Sequence, residues 1–261
     1  MRALSIGATG MLAQQLNVEV ISNNIANMTT TGYKRQRAEF QDLLYQNVVR
    51  PGSTSSDAGT VVPSGIQLGT GVKAAAVYRI NEQGNLQVTD NKLDIALQGN
   101  GFFQVELPNG ETAFTRAGSF QLNAEGTIVT AEGYTVVPGL TIPQNATDIT
   151  VNNSGEVLVK IAGQVAPQNV GQLQIAVFAN PAGLESVGSN MLLETPASGA
   201  AVVGAPAAPG FASVLQGSLE TSNVNVVSEI TNLITAQRAY EMNSKVIRTT
   251  DEMLNAMTQL R

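Results

Sequence analysis

Apolar residues near the N-terminus recur every seventh position, at Leu4, Met11, Val18 and Ile25, with Ile21 and Met28 at the complementary three-four spacing. That period predicts an amphipathic helix with a coiled-coil stripe, interrupted at Gly7 and Gln14. The C-terminal segment keeps the same step through Leu219, Val226, Leu233, Tyr240, Ile247 and Leu254, beside a second stripe of Ala239, Val246, Met253 and Leu260. It predicts a helix from about 224 to 259, roughly 50 Å long at 1.5 Å per residue.

The intervening chain obeys a different rule. All ten prolines and 22 of the 25 glycines fall between positions 51 and 217, which excludes long helices there. Short apolar runs separated by Asn109-Gly110, Glu125-Gly126, Glu132-Gly133 and Ser154-Gly155 predict hairpins, and "QLQIAVFAN" a further strand. Residues 46–65, rich in Ser, Thr, Gly and Pro, read as a linker or extended loop. The fold class is α+β: a discontinuous helical coiled-coil domain from the two termini plus a mainly β central domain. The expected division is 1–32 with 220–261 (helical), 33–72 with 210–219 (connecting, with an extended arm) and 73–209 (β-rich, outer).

Charge changes this picture. Residues 1–32 carry only two ionisable side chains, Arg2 and Glu19, where a solvent-facing helix back would carry Lys, Glu and Arg. Asn, Gln, Ser and Thr stand there instead, and such groups are buried cheaply when hydrogen-bonded. The N-terminal helix is therefore expected to have protein on more than one side, supplied by copies of the same chain in a non-closing, filament-forming contact. Polar Gln237, Asn243 and Ser244 are candidates to fix register. Periodicity alone fits an antiparallel pair within one monomer equally well; charge depletion favours assembly.

Composition excludes much chemistry. With no His, Cys or Trp, imidazole bases, thiolate nucleophiles and the usual zinc and iron–sulfur ligand sets are absent, and no metal or other cofactor is expected. A net charge of −6 argues against nucleic acid as a partner. The basic cluster Lys34, Arg35 and Arg37 reads as a solvated or subunit-facing patch. Absence of Cys fits either a reducing cytosol or export of an unfolded chain. The N-terminus lacks a convincing signal-peptide core and cleavage site and reads as retained. No apolar run is long enough to insert in a membrane.

The stretch "SNNIANMTTTGYKRQRAEFQDLLYQ", with "GSLETSNVNVVSEITNLITAQRAYEMNSKVIRTTDEMLNAM" at the other end, resembles the terminal signatures of the axial proteins of the bacterial flagellum. "LQGNGFFQV", "AFTRAGSFQLNAEG" and "NPAGLESVGSNMLLETPASG" are similar to that family's β motifs, so the resemblance covers nearly the whole chain. The signature positions are Asn23, Asn24, Asn27, Thr31, Gly32, Tyr33 and Lys34. "EFQDLLYQNVVRPGSTSSDAGTVVPSGIQLGTGV" is similar to the extended segment of the distal-rod members, and the chain has no room for the outer domain usual in hook proteins. Proximal-rod and hook paralogues remain the alternatives within the family, and a closed trimeric secreted fibre outside it.

The resemblance implies a non-enzymatic subunit of a periplasm-spanning tube, exported through the flagellar type III apparatus without a cleaved signal. Its implied partners are further copies of itself, proximal-rod proteins, hook-side axial proteins and the P-ring and L-ring bushing. The packing positions expected to hold the tube are Leu4, Met11, Val18, Ile21, Ile25, Leu233, Tyr240, Ile247 and Leu254, with Asn27, Thr31 and Gly32 shaping the helix exit and Gly32 as its C-terminal stop. Asp90 with Asp94, or Glu125 with Glu132, form a formal glycosidase-like pair, but sit in turn chemistry. Gly99 and Gly101 lead into a strand, not into the helix a phosphate loop needs.

Overall fold

The computed structural model describes residues 2–52, 64–164 and 166–259, and the chain divides into two compact units. The first comprises residues 1–25, 36–78 and 225–261. It holds helix α1 (Arg2–Ala26), strands β1 (Gln36–Asp42), β2 (Tyr45–Val49), β3 (Ile66–Gly69) and β4 (Val72–Arg79), and helix α2 (Val226–Gln259).

Helix α2 starts where Asn225 caps it, its Oδ1 accepting from Ser228 N at 3.2 Å and its carbonyl from Glu229 N at 3.0 Å. Helix α1 ends at Ala26, six residues before the expected stop, because the β-branched run Thr29–Thr31 follows and Thr30 folds back on Asn27 through both backbone and hydroxyl. Met28 therefore lies in a turn and Leu219 in a strand, so neither extends a helical stripe.

The strands of this unit are two ribbons, β1 with β4 and β2 with β3. Residues 46–65, expected as a linker, thus begin in strand β2 and end at Gly65, one residue before its partner β3; positions 53–63 lie outside the described residues.

The second unit, residues 26–35 and 79–224, is β-rich. In order it holds β5 (Leu86–Val88), β6 (Ile95–Gln98), β7 (Phe102–Glu106), β8 (Thr112–Thr115), β9 (Gln121–Leu122), β10 (Ile128–Val129), β11 (Thr135–Val136), β12 (Ala146–Val151), β13 (Glu156–Ile161), β14 (Gln168–Gln172), β15 (Ile175–Val177), β16 (Glu185–Gly188), β17 (Met191–Leu193), β18 (Val202–Gly204), β19 (Ser213–Gln216) and β20 (Ser218–Glu220).

Its main sheet runs β16-β17-β8-β7-β11-β10-β9, with β15 joining β7 to β18; β12-β13-β14 form a second sheet, and β19 pairs with β6 and β20 with β5. The four expected turns all form, with Gly110, Gly126, Gly133 and Gly155 at positive φ.

Strand β7 is buried on both faces, so Phe103 and Phe102 face different cores. One centres on Phe103, Phe120, Leu97, Ile128, Val157 and Val159; the other on Phe102, Phe114, Phe178 and Leu184. Phe103 meets Phe120 edge to face at 5.0 Å, and Phe114 meets Phe178 likewise at 4.8 Å. Both apolar clusters lie in this unit.

Candidate functional site

The first candidate is the helix pair. α1 and α2 run antiparallel: Gly7 lies against Ile247, Gly10 against Asn243 and Asn24 against Glu229. A Cβ on Gly7 would stand 3.0 Å from Ile247 Cγ1, and one on Gly10 2.8 Å from Asn243 Nδ2. Gly7, an apparent interruption of the stripe, is thus a point of close approach.

The side of α2 turned to α1 carries Glu229, Ala236, Asn243 and Thr250, and α1 answers with Gly7, Ala13, Val20, Ile21 and Asn24. Asn24 Nδ2 donates to Gln36 O at 2.8 Å and to Glu229 Oε2 at 3.2 Å, while its Oδ1 accepts from Gln36 N at 2.9 Å. One buried amide therefore holds both helices and the start of β1.

Of the expected packing residues, Ile21 is buried, and Leu4, Met11, Val18, Ile25, Leu233 and Ile247 are half-buried; Tyr240 and Leu254 are exposed. Among the candidate register residues, Asn243 is at the contact and Gln237 is exposed. In the second stripe Val246 and Met253 are exposed, and Leu260 lies outside the described residues.

The backs of the helices are apolar too. Leu12 is 67% exposed, Val227 76% and Met257 69%, with Ile6, Ile230, Ile234 and Met242 also exposed. Extrapolating the register puts Arg2 opposite about residue 251, so the last turns of α2 run past the start of α1, roughly 12 Å at 1.5 Å per residue. Residues 251–259 are all exposed there. Exposed apolar side chains gathered on one surface mark a protein-binding face, shared on α2 with the exposed charges of Arg238, Glu241, Lys245, Arg248, Asp251 and Glu252. The ribbon β2–β3 presents Tyr45, Val48, Ile66 and Leu68 to solvent in the same way, although an isolated two-stranded ribbon is marginal in water.

The second candidate lies in the β-rich unit. Lys34, expected in a solvated or subunit-facing patch, is only 8% exposed. Its Nζ donates to Glu220 Oε1 at 2.5 Å and to Glu82 O at 2.8 Å. The other carboxylate oxygen accepts Arg116 Nε at 2.5 Å, and Gly84 N adds a third donor at 2.9 Å.

The reason is topological, since this carboxylate laces three passages of the chain together. Glu220 O also accepts Gly32 N at 2.8 Å; Asn223 Oδ1 accepts Arg35 N at 2.7 Å, and its Nδ2 donates to Ile80 O and Glu82 O. Gly32 is a left-handed turn residue, φ 69°, whose missing Cβ would lie 2.7 Å from the Arg116–Ala117 backbone.

Gly99 and Gly101, both at positive φ, aim their carbonyls at Arg116, as does Leu97. The Gly-x-Gly is a carbonyl cradle for a guanidinium. Burial raises the Glu220 pKa, but Arg116 and Lys34 outweigh it and hold the carboxylate below its ordinary range. Burial, aided by Arg116 and opposed by Glu220, lowers that of Lys34.

The remaining signature residues are distributed around these sites: Asn23 is exposed, Asn27, Thr31 and Tyr33 are half-buried, and Thr31 O accepts Asn190 Nδ2. Arg37 is exposed and bonds the Tyr78 hydroxyl. Asp94 is spent on Thr89 and Asn91 at 2.6 and 3.0 Å. Among the described residues no three acidic groups converge as a metal site and no helix is long and apolar enough to cross a membrane.

Neither Glu220 nor Arg116 was legible as a partner of Lys34. The usable signal was the isolated charges in otherwise polar or apolar runs, "TRAGSF" and "GSLETS".

Three sequence families match the chain: "Flagella basal body rod protein" at residues 4–34, "Flagellar hook protein FlgE/F/G D1 domain" at 96–159 and "Flagellar basal body rod FlgEFG protein C-terminal" at 215–260. The "Flagellar basal-body rod protein FlgG" of Caulobacter vibrioides is 64% identical over 261 residues, covering 100% of both chains. Those of Agrobacterium fabrum and Buchnera aphidicola, under the same description, are 54% and 48% identical, each covering 99% of both chains. Matches of this extent carry both termini and the β-rich middle together, and the chain belongs to the flagellar basal-body rod protein family, with the proteins named FlgG.

Proposed function

We propose that this structural rod subunit polymerises with itself into the distal rod, a stiff helical tube that spans the periplasm between the proximal rod and the hook and transmits motor torque. The observation that carries the reading is the set of exposed apolar side chains on α1 and α2, with few charges along α1, which one chain leaves in water and sister chains stacked along an axis would cover. Leu4, Met11, Val18, Ile25, Leu233, Tyr240, Ile247 and Leu254, half-covered or exposed within one chain, are then completed by neighbours.

The β-rich units give the tube its width and face the P-ring and L-ring bushing, while proximal-rod and hook-side proteins join its ends. Delivery is through the flagellar type III apparatus with the N-terminus retained. The ribbon β2–β3 and the segment it carries act as an arm braced on a neighbouring subunit. The work is packing, and no residue is assigned to catalysis.

The test is polymerisation of purified protein followed by light scattering and electron microscopy. Val227→Glu or Met257→Glu is expected to leave melting of the β-rich unit unchanged and to abolish filaments. Normal filaments from both variants would overturn the reading.

A further inference from the structure

Beside the Lys34–Glu220–Arg116 cluster the β-rich unit holds a cavity of about 280 Å³. Lys34 and Arg116 form part of its wall, Asn81 and Asn100 another part, and Phe102 and Phe178 an apolar side. Two features make it more than a packing gap.

The charges do not balance. Two cations, each more than nine-tenths buried, share one carboxylate, so a positive charge is left over where water is scarce and electrostatic interactions are strong. The donors do not balance either. An ammonium has three N–H groups and a guanidinium five. Lys34 uses two of its three, on Glu220 and Glu82 O. Arg116 makes four bonds, to Glu220, Gly101 O, Leu97 O and Gly99 O. Asn81, half-buried, and Asn100, exposed at the cavity's mouth, make no side-chain hydrogen bond to any described residue and bring two further amides to its rim.

We propose that this cavity is a carboxylate socket that receives an Asp or Glu side chain from a second copy of the chain. It deepens, and rests on, the reading of the protein as a self-assembling subunit. The cavity lies at the lower end of the roughly 300–1,000 Å³ of ligand pockets and admits an acidic side chain, its stem against Phe102 and Phe178 and its oxygens toward Lys34, Arg116 and the two amides.

A second copy is the fitting source because the chain has 20 acidic against 14 basic residues. Glutamates such as Glu125 and Glu132 stand exposed at hairpin tips with no ion partner among the described residues. In a homopolymer, acid and socket come in equal number. An incoming carboxylate would neutralise the excess charge and convert it into a directional bond between subunits.

The experiment has two arms. In the first, thermal melting of the monomeric full chain is followed in sodium glutarate and in sodium chloride at equal ionic strength. Glutarate is expected to raise the melting temperature of the wild type and to leave Asn81→Asp, which fills the socket with its own carboxylate, unmoved. In the second arm, the protein concentration at which filaments appear is compared among wild type, Asn81→Asp, Asn100→Asp and Gln121→Glu, which adds the same charge on strand β9.

Loss of a charge-assisted contact is expected to raise that concentration about tenfold for the two socket variants, with Gln121→Glu unchanged. No glutarate response together with unchanged onset in both socket variants overturns the socket while leaving self-assembly standing. A glutarate response with unchanged onset overturns the sister chain as its occupant. A wild type that forms no filament at any concentration overturns the assembly reading, and with it the sister chain, whereas the glutarate arm still decides whether the socket binds a carboxylate.

Discussion

Asn24 and Glu229, 205 positions apart in the sequence, meet side chain to side chain at 3.2 Å, both almost fully buried. The same amide brackets the backbone of Gln36 with two further bonds. A contact between the two ends of a chain this long closes a very long loop, and it does so with polar groups that specify register more sharply than apolar ones. Asn24→Ala is expected to remove the side-chain partner of the Gln36 N–H and C=O, at about 1–3 kcal/mol per unsatisfied group. The effect should appear as a raised concentration for filament formation, read by scattering, with melting of the β-rich unit unchanged.

Gly10 and Gly32 look alike in the sequence and differ in what surrounds them. At Gly10 a methyl would meet the end of the Asn243 side chain, which can turn away, and Ala gains about 1 kcal/mol of helix propensity over Gly. At Gly32 it would meet backbone at 2.7 Å, at a φ of 69°. Gly10→Ala is expected to be near neutral and Gly32→Ala to lower the melting temperature of the β-rich unit markedly, a contrast that calorimetry on both variants measures.

Much of this architecture was readable because each part depends on local patterning. The seven-residue step located both helices, and four Xaa-Gly pairs located four hairpin turns. The partners of buried charges were not readable. Lys34 sits with Arg35 and Arg37 in a run that has the composition of a surface patch, and only the return of the chain at residue 220 buries it. Gly7 likewise reads as a fault in a stripe until Ile247 is known to lie on it. Long-range pairing of single residues leaves no periodic trace, so these contacts need coordinates.

The pH dependence follows from Glu220. Its folded-state pKa lies below the ordinary 4.5, so on acidification the unfolded chain takes up the proton first. Its contribution is fully present above about pH 4.5 and drains away as the pH falls through the depressed folded value. Lys34 has the same sign at the alkaline end. Between its lowered folded value and 10.5 the folded chain gives up the proton first, so this group alone makes stability rise with pH there. Glu220→Gln removes the acid-side component and strands two buried cations, at about 3–5 kcal/mol for a broken buried pair. Melting curves of both proteins from pH 3 to pH 7 measure this; parallel curves would count against the assignment.

The segment 46–65 is bounded by strands whose apolar side chains face solvent, and a lone ribbon has little to hold it rigid. As an arm braced against a neighbour it would resist bending of the tube. Its deletion is expected to yield filaments of lower bending stiffness, measured from contour fluctuations in electron micrographs. Unchanged stiffness would remove the arm from the account of rigidity.

Helicity before and after assembly is the broadest test of how the chain ends are held. The face between α1 and α2 is lined by Gly, Ala, Asn and Thr with few large apolar groups, and both large apolar clusters lie in the other unit. Ordering each residue costs about 1–2 kcal/mol of backbone entropy, and most helical stability in proteins comes from tertiary packing of an apolar face. The contacts within one chain are thus too sparse to hold 25 and 34 residues of helix on their own. Far-ultraviolet circular dichroism of dilute monomer is therefore expected to show clearly less helix than the filament, with the β signal the same in both. Equal helicity in the two states would mean that the helix pair stands without neighbours, and the exposed apolar backs of α1 and α2 would need another explanation.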